Sequence, residues 1–422
     1  EVAGAHINVQ NKSKDSITNI QSAEAMTVGK STKVDVLGDL TVQSQKNLAV
    51  NAGQLKSGGD LNVLSGQILD VINNSTVTAG KKLHLESAQA SLFNDAKITN
   101  NVYVKGGSLN AGTAIVVRAD NNIGIETTVN SPDSLNMIAG DNIDLKAAGV
   151  TDKLKDFKAY ANKDISITSV AKKNLKASNE IDIRGGNITS TNIDYSAKNL
   201  NATATKGDIK LSEATKITTS NDTMISALNG STTATNLQIN ATGKASVLSG
   251  KDTVLATKAG TVAANQTVIV GKQGVSVGSV GKGNLSLNQA KIQSDLGATS
   301  LTSGSQTKLT ATTVTGRKVA INSGAGNVEI GGNSSLISTL GDTQVQAKQN
   351  AKLDSVQISS KGNSTVHTGG NLDLNQTTVK SEKHIAVSSN GLLNHNKTTT
   401  VANPQNSFTA QGVASLSSKG NQ

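Results

Sequence analysis

The sequence contains no cysteine and no tryptophan. Without cysteine there is neither a disulfide framework nor a thiolate zinc or iron site, so packing and hydrogen bonds must hold the fold. Aromatic residues are 1% of the 422-residue chain. Globular cores use bulky rings to fill irregular volume, so any core here has to be made of small aliphatic side chains. Two prolines leave strand ladders almost uninterrupted. No apolar run approaches the ~20 residues of a membrane-spanning helix. Residues 1–30 show no charged start, apolar stretch and cleavage site of an export signal. The sequence opens in repeat-like residues and reads as a piece of a longer protein whose export signals lie elsewhere. Arginine is scarce too: only Arg118, Arg184 and Arg317 contribute to the 40 basic residues behind a net charge of +10. Few guanidinium forks for phosphate or guanine, and few rings for base stacking, argue against nucleic acid as partner. Lysines spread along the chain instead suit solvated strand faces protected from edge pairing.

What the sequence has is repetition. Gly38-Asp39-Leu40-Thr41-Val42, Gly59-Asp60-Leu61-Asn62-Val63 and Gly207-Asp208-Ile209-Lys210-Leu211 share a glycine, a polar residue, then apolar-polar-apolar alternation. Looser copies begin at Asp141, Lys163, Gly283, Gly326 and Gly370. Alternation with period two is the pattern of a strand with one buried face. Leu40 to Leu61 is 21 residues, Leu61 to Leu83 is 22, Ile123 to Ile143 is 20 and Leu353 to Leu372 is 19. A second strand precedes the first at an offset of six, as from Leu55 to Leu61, Val77 to Leu83, Leu109 to Ile115, Val366 to Leu372 and Val379 to Ile385. Small residues between them, Thr78-Ala79-Gly80 and Asn110-Ala111-Gly112, fit a sharp bend between two faces of a prism.

Strands this short cannot bury an apolar side alone, so each coil must stack on the next in parallel. The expected fold is all-β: a right-handed parallel β-helix, or solenoid, of about 20 residues per coil and about 21 coils. It is expected to run continuously over residues 1–390, with an irregular interval near 148–162. Residues 391–422 form the end of the solenoid, a cap or the start of another region, because Asn394, Asn396, Thr398, Pro404 and Phe408 depart from the coil pattern. No run matches the glycine- and aspartate-rich nonapeptide of calcium-binding β-helices.

The Gly-polar-aliphatic-polar-aliphatic coil, the strand six residues upstream and the Ala/Thr/Asn/Gly-rich filler resemble the filamentous haemagglutinin repeats. These occur in large exoproteins of two-partner secretion systems, including contact-dependent growth inhibition effectors. The resemblance extends over residues 30 to 390. It implies a cell-surface or secreted location in a Gram-negative bacterium, export by a partner outer-membrane transporter, and a role as an adhesin or as the stalk and receptor-binding region of a toxin-delivering effector. The implied partner is a receptor on a target bacterial or host cell. Receptor-binding segments in such proteins vary, so no contact residue carries over by motif.

Chemistry is harder to find. Parallel β-helices that degrade polysaccharides need clustered carboxylates for calcium or acid/base work. Here Asp144, Asp182 and Asp208 alternate singly with apolar residues, as solvent-facing strand positions do. A polysaccharide-binding or polysaccharide-degrading β-helix is therefore the competing reading. Neither catalytic residues, cofactor nor metal site is expected: His6, His84, His367, His384 and His395 have no metal-ligand spacing, and Ser57, Ser65 and Ser108 read as turn residues. The irregular interval is the one candidate site. Val150–Tyr160 is charged and holds two of the chain's six aromatics. Apolar residues at 150, 154, 157 and 161 fit either one face of a short helix or a distorted coil. Lys153, Lys155, Phe157, Lys158 and Tyr160 are the candidate receptor contacts.

Overall fold

The computed structural model describes residues 6–9, 13–87, 100–212, 214–256, 266–402, 406–412 and 414–417. Among them the protein is all-β, with no α-helix and a single 3-10 turn at Ala147–Gly149. It is a parallel β-solenoid of about 22 residues per turn and about 17 turns. The turns are longer and fewer than expected because each holds three strands, one more than the six-residue offset reveals.

One turn shows the plan. Ser364–Thr368 forms the first face, Leu372–Asn375 the second and Thr378–Ser381 the third. The next first-face strand is Ile385–Ser389, in parallel register with Ser364–Thr368. Val366, Leu372, Leu374, Val379 and Ile385 all point inward and are buried. Each aliphatic side chain removed from water is worth roughly 1.5–3 kcal/mol, which offsets ordering entropy only when neighbouring turns cover both ends.

The corners explain the sequence motif. From third face to first, Ser57 closes the bend: its hydroxyl lies 2.9 Å from the Asp60 carbonyl and 2.6 Å from that of Gly38, one turn back, with its single proton shared between them. From first face to second, Ser389 does the same to Leu392 and Gly370. Two corners thus share one chemistry, and the motif marks both. Gly38-Asp39-Leu40 opens a first-face strand, whereas Gly370-Asn371-Leu372 opens a second-face strand. The six-residue offset likewise spans two different corners: Leu55 to Leu61 runs third to first, and Val366 to Leu372 first to second. This corrects one spacing. Leu353 is in register with Leu374, not Leu372, so that turn has 21 residues rather than 19. The remaining corner, second to third, is a tight arc in which one residue takes positive φ, as at Ala311 (49°), Ser355 (59°) and Gln376 (48°). Where a threonine follows, as after Ala311 and Gln376, it ties the arc to the turn before, Thr377 Oγ1 donating to the Leu353 carbonyl at 3.0 Å.

The polar residue of the motif bridges turns. Asp39 Oδ1 accepts the Asp60 backbone N–H at 2.8 Å, and Asp60 Oδ1 accepts that of Lys82 at 3.0 Å. The same bond runs from Asn371 to Asn350 and from Leu392 to Asn371. Glycine is required where turns touch most closely. A Cβ on Gly112 would lie 1.9 Å from the Gly80 carbonyl oxygen, and one on Gly80 2.1 Å from that of Gly58.

The chain divides into two compact units, Glu1–Ala202 and Thr203–Gln422. In the first, second- and third-face strands fuse through the corner into Ile68–Ala79 and Asn101–Ala111, and Asp164–Gly185 continues through a further corner into the next first-face strand, with register shifts where corner residues are inserted. The interval around Val150–Tyr160 is not helical. After the 3-10 turn, Leu154–Ala161 is a first-face strand with an irregularity between Leu154 and Asp156, and in it Phe157 pairs with Leu135 and Ile181.

In the second unit, hydroxyls enter the interior in pairs: Thr253 Oγ1 donates to Ser249 Oγ at 2.9 Å, and Ser303 and Thr307 lie 2.8 Å apart. The ladder does not stop at residue 390. Leu393–Asn396, Thr399–Ala402, Asn406–Ala410 and Ala414–Ser417 each pair in parallel with the turn before. What changes is the filling. His395 occupies an inner position beneath Leu374 and meets Phe408 edge-on at 5.2 Å. Pro404 lies outside the described residues.

Candidate functional site

The five candidate contacts fall on one strand and the corner before it, but they do not share one surface. Lys153 and Lys155 are exposed, Lys158 and Tyr160 are half-buried, and Phe157 is wholly buried. Phe157 is therefore corrected from contact to core residue. Period-two alternation turns Phe157 and Ala159 inward and leaves Lys158 and Tyr160 facing out, and a break in register between Leu154 and Asp156 lets Leu154 point inward as well.

On the outer side, parallel register places Lys158 beside Asp182 and Tyr160 beside Arg184 of the next turn. Asp182 is the centre of the cluster. Its side chain is only 3% exposed, and four donors converge on it. The Tyr160 hydroxyl donates to Oδ2 at 2.7 Å, Arg184 Nε to Oδ1 at 3.0 Å and Nη2 to Oδ2 at 2.9 Å, and Asn201 Nδ2 to Oδ1 at 3.1 Å. The guanidinium of Arg184 also lies over the Tyr160 ring, 5.6 Å from its centroid, in cation–π range. Beside this group Lys158 pairs with Glu180 at 3.1 Å, and Asn179 donates to Asp156 at 2.7 Å.

The electrostatics fix these groups in place. Burial first, and then the hydrogen bond to Asp182, push the Tyr160 phenol well above the ordinary tyrosine range. The hydroxyl thereby keeps its proton and is a positioned donor. The bond to Glu180 raises Lys158, and the bond to Asp182 raises Arg184, so both cations are held charged. The result is a patch of alternating charge with a tyrosine edge, and Lys153 projects from the adjoining corner and Lys155 from the start of the strand. Lys155 reaches towards Asp133 at 4.0 Å.

Sequence reasoning missed Glu180, Asp182 and Arg184, which supply the partners of Tyr160 and Lys158. The signal was the 22-residue spacing from Tyr160 to Asp182, one turn length, but it is readable only once the register is known. The histidines behave in different ways. His84 lies in an outward row and contacts Glu86 at 2.9 Å, while burial lowers its pKa. His395 is inward, and burial lowers it as well. Among the described residues no three His, Asp or Glu side chains form a metal-holding group. Ser57 and Ser65 are corner residues, as expected, whereas Ser108 lies within the strand Asn101–Ala111, in register with Thr76 and Thr128.

A second concave region lies on the second face of the same unit. A shallow groove of about 420 Å³ is lined by Tyr103, Gly124, Glu126, Asp144 and Lys146 among others. It adjoins a cleft of about 550 Å³ at the corner under the fully exposed Val170.

No family model, no curated protein and no solved structure matches this chain.

Proposed function

We propose that the chain is a non-enzymatic, surface-exposed segment of a two-partner-secreted exoprotein of a Gram-negative bacterium. It acts in cell adhesion or as the stalk and receptor-binding region of a contact-dependent growth inhibition effector. Its partners are a receptor on a target bacterial or host cell and the outer-membrane transporter that exports the parent protein; nucleic acid is not among them. The observation supporting this reading is the outward columns. Parallel coils in register present side chains such as Ile138, Tyr160 and Arg184 as a stacked outer column, a geometry suited to extended contact with another surface. The contact patch is Lys153, Lys155, Lys158 and Tyr160, without Phe157.

The test is binding of the fluorescently labelled 422-residue chain to bacterial and eukaryotic cells while salt is raised. Saturable binding to one cell type that persists at high salt supports the reading, since screening removes loose lysine attraction. Binding that vanishes with salt on every cell, or no binding, contradicts it. Lys153→Glu with Lys155→Glu should weaken the saturable component if the patch is the contact.

A further inference from the structure

The second-face groove has a composition the contact patch lacks. Parallel register sets Asp70, Tyr103, Gly124 and Asp144 in one outward column on successive turns. Ile72, Lys105 and Glu126 form the adjoining column, and Lys146 lines the same groove. Of the chain's three tyrosines, Tyr195 is buried and Tyr160 is committed to Asp182, whereas Tyr103 is 41% exposed. Its ring leans across Gly124: a Cβ there would meet Cδ1 at 2.9 Å and Cε1 at 3.4 Å. Glycine at this strand position gives up packing and β-propensity. What it gains is room for a ring laid along the sheet at the edge of a hollow.

Around the ring stand acceptors and donors of both signs. Lys146 donates to Asp144 at 3.1 Å, and both side chains remain about half exposed. Glu126 and Lys105 are exposed beside them. On the other side of the ring, burial raises the Asp70 carboxyl. Opposite charges nearly balance across the groove, which disfavours a polyanion and leaves no strong cation site. An exposed ring next to carboxylates and ammonium groups matches a ligand that has an apolar C–H face and a fringe of hydroxyls that both donate and accept.

We infer that this groove binds a neutral oligosaccharide, with a sugar ring stacked on Tyr103 above Gly124 and its hydroxyls on Glu126, Asp144 and Lys146. This extends the proposed surface-binding role by naming a receptor chemistry, yet it is tested apart from that role because free sugars need no cell.

The experiment is a glycan array probed with the full chain, followed by titration of the best neutral oligosaccharide, with heparin as polyanion control. Tyr103→Ala should weaken neutral-glycan binding at least tenfold. Gly124→Thr, which fills the shelf and keeps a strand-forming residue, should do likewise, while Tyr103→Phe should retain most of it. Circular dichroism of each variant establishes that the solenoid is intact, and either Tyr103→Ala or Gly124→Thr suffices. No neutral glycan retained, neutral binding unchanged by both variants, or retention of heparin alone would each overturn the inference. Capture of a peptide at the groove in place of sugars would also overturn it. Cell binding without glycan binding removes this site and spares the surface-binding role; glycan binding without cell binding does the reverse.

Discussion

Tyr160 and Asp182 lie 22 residues apart on adjacent turns, and the tyrosine hydroxyl donates to the carboxylate across 2.7 Å. Because Asp182 also holds Arg184 and Asn201, the two partners should differ in cost. Asp182→Ala leaves a guanidinium, a phenol and an amide without their shared acceptor and should destabilise the first unit by about 2–3 kcal/mol; Tyr160→Phe removes one bond and should cost about 1 kcal/mol. Thermal melts of both variants followed by circular dichroism check the order. Equal effects would mean that Asp182 is not the hub.

Alkaline pH probes the same tyrosine together with Tyr195. Both phenols are raised above the usual 10.0 by burial, Tyr195 while it pairs with Ser190 at 2.8 Å. Above pH 10 the unfolded chain releases these protons and the folded chain keeps them, so unfolding gains as pH rises. The stabilising contribution is whole below the ordinary phenol range and lost as pH climbs through the raised values. The melting midpoint should therefore fall above pH 10, and fall less steeply in Tyr160→Phe with Tyr195→Phe. A slope unchanged by the double substitution would rule these groups out as its source.

Phe157 separates core from contact. Phe157→Ala should cost about 3–5 kcal/mol through lost burial and a cavity, whereas Lys155→Ala on the same strand should stay within about 0.5 kcal/mol. Chemical denaturation of the two proteins decides it. A mild effect of Phe157→Ala would return the ring to the surface.

The motif's polar residue is a turn-to-turn acceptor, so amide and carboxylate should be interchangeable there and methyl should not. Asn371 accepts the Leu392 N–H at 2.9 Å. Asn371→Ala should cost about 1 kcal/mol, while Asn371→Asp should be close to neutral. Melting of the second unit is the readout, and equal loss in both variants would show that the side-chain oxygen is not what matters.

The alternation of Leu40, Val42, Leu61 and Val63 made the strand, the inward side and the stacked fold readable, since period two survives without any knowledge of pairing. Ser57 and Ser65 were readable as corner residues for the same local reason. The third strand was not, because both serine corners carry one chemistry and the positive-φ corner uses ordinary residues such as Gln289, Ala311 and Gln376 rather than glycine. The 19-residue spacing came from matching Leu353, the second inward residue of its strand, to Leu372, the first inward residue of the next, because alanine and not leucine holds the first inward place at Ala351. At the candidate site, charge around Phe157 suggested exposure, but strand alternation placed it inside. The Asp182 cluster and the shelf of Tyr103 on Gly124 arise between turns, from residues about one turn apart, and become visible only with the register.

That register is the claim on which every column described above depends. The chain has no cysteine, so a paired substitution reports on it directly. Lys352 and Asp373 are exposed register partners on the second face, about 4.8 Å apart as parallel neighbours, within the span a disulfide bridges. Asn371, the partner expected from a 19-residue turn, would lie about 8 Å from Lys352 by strand spacing and rise, beyond that span. The measurement is oxidation of Lys352→Cys/Asp373→Cys and Lys352→Cys/Asn371→Cys, with intrachain crosslinks quantified by mass spectrometry. The account predicts rapid crosslinking of the first pair and little of the second; crosslinking of the second pair in preference to the first would contradict it.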